Sequence, residues 1–198
     1  MVVFFEVPNA MCPLRDMDVW TLIYEHCGFY TPQSLGRLFA LAGYDLLALE
    51  ELYEGIFLGV EARVRRRSRS DTVAATDLQE LSLLIERFSQ RFGEKLAHWE
   101  TTLRALDQAG KRVVIWGSGA RGVSFLNMVK EARTITYAVD INPRKEGTYI
   151  PGSGQRIVIP SFLREYRPDV VVLMNPIYRD EVRLQLQSYG LSPELLEA

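Results

Sequence analysis

The sequence predicts an α/β protein: a doubly wound parallel-sheet domain in the second half, preceded by a long helix and by part of another sheet. Three observations carry that prediction. The apolar run Val113-Val114-Ile115-Trp116 stops at Gly117-Ser118-Gly119-Ala120-Arg121-Gly122, a G-x-G-x-x-G loop with a helix-like pattern after it. Strand-like and helix-like stretches then alternate, as a parallel sheet with crossover helices requires. Ahead of the loop, Leu78, Leu81, Ile85, Phe88, Phe92, Leu96, Trp99, Leu103 and Leu106 recur at three- and four-residue steps. That periodicity predicts a single helix of roughly 30 residues, ended by Gly110.

The elements follow in order. Residues 2–7 form a strand of buried type, stopped by Pro8-Asn9, and residues 11–18 read as irregular. Residues 19–24 are mixed apolar and lead into Glu25-His26. Thr31 is an N-cap with Pro32 at the first helical position, and the helix passes through Leu35, Leu38 and Phe39 to a terminal Gly43. Residues 44–51 and 56–65 read as a hairpin around Tyr53-Glu54-Gly55, with imperfect alternation. Arg63, Arg65, Arg66, Arg67 and Arg69 form a basic cluster, read either as a solvated strand end or as an anion contact. Residues 68–76 are the most linker-like of the chain. In the second half, strands are expected at 111–116, 134–139, 157–159 and 170–174, and helices at 121–131, 160–166 and 178–189. The chain closes at Leu196-Glu197-Ala198, just after that last helical stretch.

Composition is that of an ordinary globular protein, with 198 residues, 47% hydrophobic and 24% charged, enough for one large or two small domains. A formal net charge of −2 gives no ground for bulk binding to nucleic acid or to a membrane surface. No apolar run approaches a membrane span, and the opening Met-Val-Val-Phe-Phe-Glu does not read as a signal peptide. Two cysteines, Cys12 and Cys27, without a C-x-x-C pair argue against a zinc site and for the cytoplasm. The chain opens directly on a core-like strand, which suggests part of a longer protein.

Ligands of a parallel sheet bind at the carboxyl ends of its strands, here loops 117–122, 140–145 and 175–179. Backbone amides of a glycine loop at a helix N-terminus suit a phosphate, and an acid roughly 20 residues on, here Asp140, suits a ribose hydroxyl. The loop by itself fits a dinucleotide domain, a methyl-donor domain, or a Rossmann-like domain whose glycines only permit tight packing. Hydride transfer is disfavoured, because the second half is short and has neither a histidine nor an evident Lys–Tyr pair. The other chemical candidate is Tyr24-Glu25-His26, where a carboxylate beside an imidazole is a plausible acid–base group. A helix cap beside a surface residue is the plainer reading of that pair. His98, on the long helix, reads as a packed or surface side chain.

Val3-Phe4-Phe5-Glu6-Val7-Pro8-Asn9, Ile23-Tyr24-Glu25-His26 and Phe29-Tyr30-Thr31 resemble the end of the methyl-donor domain of sugar C-methyltransferases. Asp140-Ile141-Asn142-Pro143-Arg144-Lys145, then Gly147-Thr148-Tyr149-Ile150-Pro151-Gly152, with the glycine loop ahead of them, are similar to that family's C-terminal Rossmann-like domain. The resemblance covers nearly the whole chain. It implies residues 1–70 as a remnant of the methyl-donor domain, 71–110 as a linking helix and 111–198 as the C-terminal domain. It also implies S-adenosylmethionine as methyl donor, held outside this chain by a missing N-terminal region or partner chain. The acceptor it implies is a nucleotide-linked keto-sugar. By the same resemblance His26 is the base that removes a proton α to the ketone, with Glu25 and Tyr24 beside it. Gly117, Ser118, Gly119, Arg121, Gly122, Asp140, Asn142, Lys145 and Asn175 are the acceptor contacts, and no metal is expected. The alternative is a catalytically silent Rossmann-like module that binds a nucleotide or a partner. The unpaired first strand further suggests a homodimer or a docked partner.

Overall fold

The structure is a computed structural model and describes residues 1–23, 25–65 and 75–198. Tyr24, Arg66, Arg67, Arg69 and most of the expected linker at 68–76 lie outside the described residues. The chain forms two compact units, Met1–Gly93 and Glu94–Ala198. The division falls inside the long helix α3 (Ala75–Gln108) that the three-four periodicity predicts.

The first unit is built on β1 (Val2–Pro8), β2 (Tyr44–Leu52) and β3 (Phe57–Val64), in the order β1-β3-β2. Both neighbours run antiparallel to β3, so β1 and β2 run parallel to each other. Between them in sequence lies α2 (Pro32–Leu41), which opens as expected. The Ser34 amide donates to Thr31 Oγ1 (3.1 Å) and the Thr31 amide donates back to Ser34 Oγ (2.9 Å), a complete capping box. Leu58, Val60 and Ala62 on one face of β3 are fully buried under Leu35 and Phe39 of α2. Burial of a leucine or valine of this kind contributes roughly 1.5–3 kcal/mol. Tyr53, Glu54 and Gly55 turn the hairpin with φ of 50°, 57° and 86°. The imperfect alternation of β2 has a cause, a register shift between Leu46 and Ala48.

One expectation for this unit needs correction. Residues 11–18 are not irregular, because α1 spans Met11–Asp16. The Asn9 side chain accepts from the Met11 amide (3.0 Å) and starts the turn. Pro13 sits in the first turn, where its missing N–H costs nothing, and packs inward with Cys12. Met17, at φ 58°, ends the helix.

The second unit has a five-stranded parallel sheet in the order β6-β5-β4-β7-β8. Its strands are β4 (Val113–Trp116), β5 (Tyr137–Val139), β6 (Arg156–Val158), β7 (Val170–Leu173) and β8 (Glu194–Glu197). The helices are α4 (Ala120–Met128), the short α5 (Leu163–Tyr166) and α6 (Arg179–Ser188). Strand order reverses between β4 and β7, where Rossmann-like sheets open a crevice. Every residue of β4 and β7 is buried, as a sheet covered on both faces requires. Val114, Trp116, Val171 and Leu173 pack with Val182 and Leu186 of α6, while Trp99 of α3 meets Phe125 of α4 edge to face at 5.1 Å. The last four-residue strand, β8, was not expected from a chain end read as following a helix. It pairs parallel to β7 from Glu194 to Glu197. Among the described residues no helix is long and apolar enough to cross a membrane.

Candidate functional site

The carboxyl edge of the second sheet brings the glycine loop, Asp140, Asn142, Lys145, Arg121 and Asn175 onto three adjacent loops, as the alternation of elements predicts. The close approach of β4 and α4 fixes the glycines. Gly117 takes φ 113°, and a Cβ on Gly122 would stand 2.0 Å from the Gly117 carbonyl oxygen, so no side chain fits there. Gly119 is different. It is the N-cap of α4, supplies no side-chain cap, and a Cβ built on it meets nothing within 4 Å. The first-turn amides of α4 have no intrahelical partner, and the space beside Gly119 at the head of that turn is open.

On one flank of the loop, the Arg121 guanidinium donates to the Met174 carbonyl (3.2 Å), and Met174 also lies against Gly117. Asn175 follows, its side chain accepting from the Ile177 amide at 3.2 Å to start the turn into α6. On the other flank is a closed polar cluster. Lys145 Nζ donates to Asp140 Oδ2 (2.7 Å) and to Ser118 Oγ (3.3 Å). The Ser118 hydroxyl also donates to Asp140 Oδ2, and the Asn142 amide donates to Oδ1 (2.9 Å). Burial pushes the Asp140 carboxyl up, but hydrogen bonds from Lys145, Ser118 and the Asn142 amide outweigh it and hold the carboxyl below the usual aspartate range. Its side chain is 12% exposed.

Three donors of this chain already bond the acid at the ribose position, so a ribose diol would compete with the lysine for it. The P-G string has a structural task as well. Asn127 Nδ2 of α4 donates to the Pro151 carbonyl (3.0 Å), and a Cβ on Gly152 would stand 2.2 Å from Asn127 Oδ1. That string docks its loop onto α4.

Residues 60–192 match the family model of the C-methyltransferase C-terminal domain. The chain belongs to that family. The matched span runs from β3 to the turn before β8 and takes in all three loops of the edge. No curated protein matches the chain. A C-methyltransferase family points to S-adenosylmethionine in general.

Glu25 and His26 lie in the first unit, outside the matched span. The His26 ring is half-buried and meets Phe29 and Phe57 edge to face, at 5.4 and 6.0 Å between centroids. Its Nδ1 is buried without a hydrogen-bond partner. The Glu25 side chain is exposed and no hydrogen bond joins it to the imidazole, so the aromatic rings rather than the carboxylate orient the ring. No group of three or more His, Cys, Asp or Glu side chains that could hold a metal occurs among the described residues.

Sequence reasoning missed Asn9. It is 1% exposed, and its amide donates to the Gly55 carbonyl (2.8 Å) and to Glu51 (3.3 Å). Beside it the Tyr30 amide donates to the Pro8 carbonyl and the Ala10 amide to the Tyr30 carbonyl, which ties the segment carrying His26 to the end of β1. The available signal was an asparagine directly after a strand-ending proline. Met174 was also missed, because its contribution is a backbone carbonyl that no side-chain pattern reveals.

Proposed function

We propose that this chain is the acceptor-handling part of a C-methyltransferase acting on a nucleotide-linked keto-sugar. The observation that carries the reading is the uncapped first turn of α4, opening beside Gly117, Gly119 and Arg121 at the reversal point of the sheet. The acceptor's diphosphate rests against those amides. Ser118, Asp140, Asn142 and Lys145 brace the loop from one side, and Asn175 shapes the other. His26 takes the proton α to the ketone at Nε2, since Nδ1 is enclosed among aromatic rings. Glu25 contacts a sugar hydroxyl, with Tyr24 as a further donor. The methyl donor is held by an N-terminal region or partner chain that completes the sheet alongside β1, and the protein works in the cytoplasm.

The test is Gly119→Asp with a nucleoside diphosphate keto-sugar titrated by calorimetry. An aspartate there has room, caps α4 and leaves stability unchanged or raised by a few tenths of a kcal/mol. It sets a negative charge against the diphosphate, so affinity falls at least about tenfold. Unchanged affinity in a stably folded variant overturns the reading.

A second reading, a silent module that docks a partner, is favoured by the exposed Ile141 (72%), Ile177 (50%) and Tyr178 (50%) on the same loops. It requires partner binding that survives Gly119→Asp.

A further inference from the structure

We propose that Lys145 is a resident occupant of the ribose position, and that its ammonium closes this Rossmann-like edge to adenosine-based cofactors, NAD and S-adenosylmethionine included. The inference does not rest on the nature of the acceptor. In dinucleotide domains the acid after the second strand accepts hydrogen bonds from a ribose diol. Asp140 stands at that place, directly after β5, yet three donors from this chain already bond it, which leaves one of a carboxylate's about four acceptor positions where a diol needs two.

Lys145 is the decisive one. It lies 2.7 Å from Asp140 Oδ2 and bridges to Ser118 within the glycine loop, so it spans the two elements a nucleoside would bridge. Its backbone is fixed by the turn at Pro143–Lys145, where the Lys145 amide donates to the Asn142 carbonyl (3.1 Å). The Thr148 hydroxyl donates to the Lys145 carbonyl (2.6 Å). A tethered cation meets the carboxylate at high effective concentration, and a charge-assisted hydrogen bond is roughly twice as strong as a neutral one. A free neutral diol loses that competition. Asn142 and Ser118 alone leave lone pairs on Asp140 for a ligand, because a carboxylate offers about four acceptor positions.

The full chain is titrated with NAD and with S-adenosylmethionine by calorimetry, as wild type, Lys145→Ala, Lys145→Arg and the double variant Asp140→Asn with Lys145→Ala. Lys145→Ala gains affinity for at least one of the two by about tenfold or more, the value of one hydrogen bond to a charged group. Lys145→Arg keeps the block, and the double variant loses the gain. Should Lys145→Ala lose its cooperative melt, Lys145→Ser truncates the same group and is read in the same way. Wild type binding both cofactors as tightly as the folded truncated variant overturns the proposal. A gain that survives in the double variant overturns it too, since the freed group is then not Asp140.

Discussion

At the residue scale, two side chains make opposite use of burial. His26 keeps Nδ1 enclosed, and the proposed proton transfer falls to Nε2. The expected outcome is a proton exchange that needs no methyl donor. In deuterated buffer, wild type incorporates deuterium α to the ketone of a nucleotide-linked keto-sugar, and His26→Ala slows this by about 10²–10⁴. Magnetic resonance of the sugar reads the result, and equal rates in the two proteins remove His26 from the chemistry. Asp140 instead has its charge fixed. Because its folded-state pKa lies below the ordinary value of about 3.9, its contribution to stability is present in full above that value. That contribution is lost as the pH falls through the folded-state pKa. Wild type should therefore be more stable than Asp140→Asn at neutral pH, with the difference shrinking below about pH 4. Chemical denaturation at a series of pH values checks it, and a difference that grows on acidification contradicts the assignment.

At the scale of elements, the glycine loop is where chain geometry leaves no choice. Gly122→Ala drives a methyl group against the Gly117 carbonyl, so β4 and α4 must separate. The expected loss is about 1–3 kcal/mol, the range for overpacking, measured as a shift in the urea midpoint at constant slope. A stability within a few tenths of wild type shows that the loop relaxes freely. The elements legible in the sequence were those with period or punctuation. α3 announced itself by nine apolar residues in step, and β4 and β7 by short apolar runs before polar loops. α1 was hidden because six residues hold too little period and Pro13 reads as a breaker, although a proline is harmless in a first turn. β8 was hidden because Leu195 and Leu196 are too few to signal a strand. For the site, the three loops and the glycines were readable from alternation. The pairing of Asp140 with Lys145 was not, since an acid at that spacing reads equally as a free ribose ligand.

At the scale of the whole molecule, the first sheet has an open side. Among the described residues β1 pairs with β3 alone, apart from the contact with Tyr30 near its end. Val2, Phe4 and Phe5 are 60%, 57% and 48% exposed. A mainly apolar edge strand, with Glu6 as its one charge, invites pairing with another chain. The apparent mass by chromatography with light scattering should rise with concentration for wild type and stay monomeric for Phe4→Lys. A wild type that is monomeric at every concentration means that the edge is indifferent to association. The fastening of Gly152 against Asn127 carries a different lesson. It serves architecture and touches no reacting atom, so a descendant that had given up methylation would still need it. Searching genomes with the string from Asp140 to Gly152 therefore gathers retired cousins together with working enzymes. Under the proposed mechanism, the histidine outside that string must be sought separately to tell them apart.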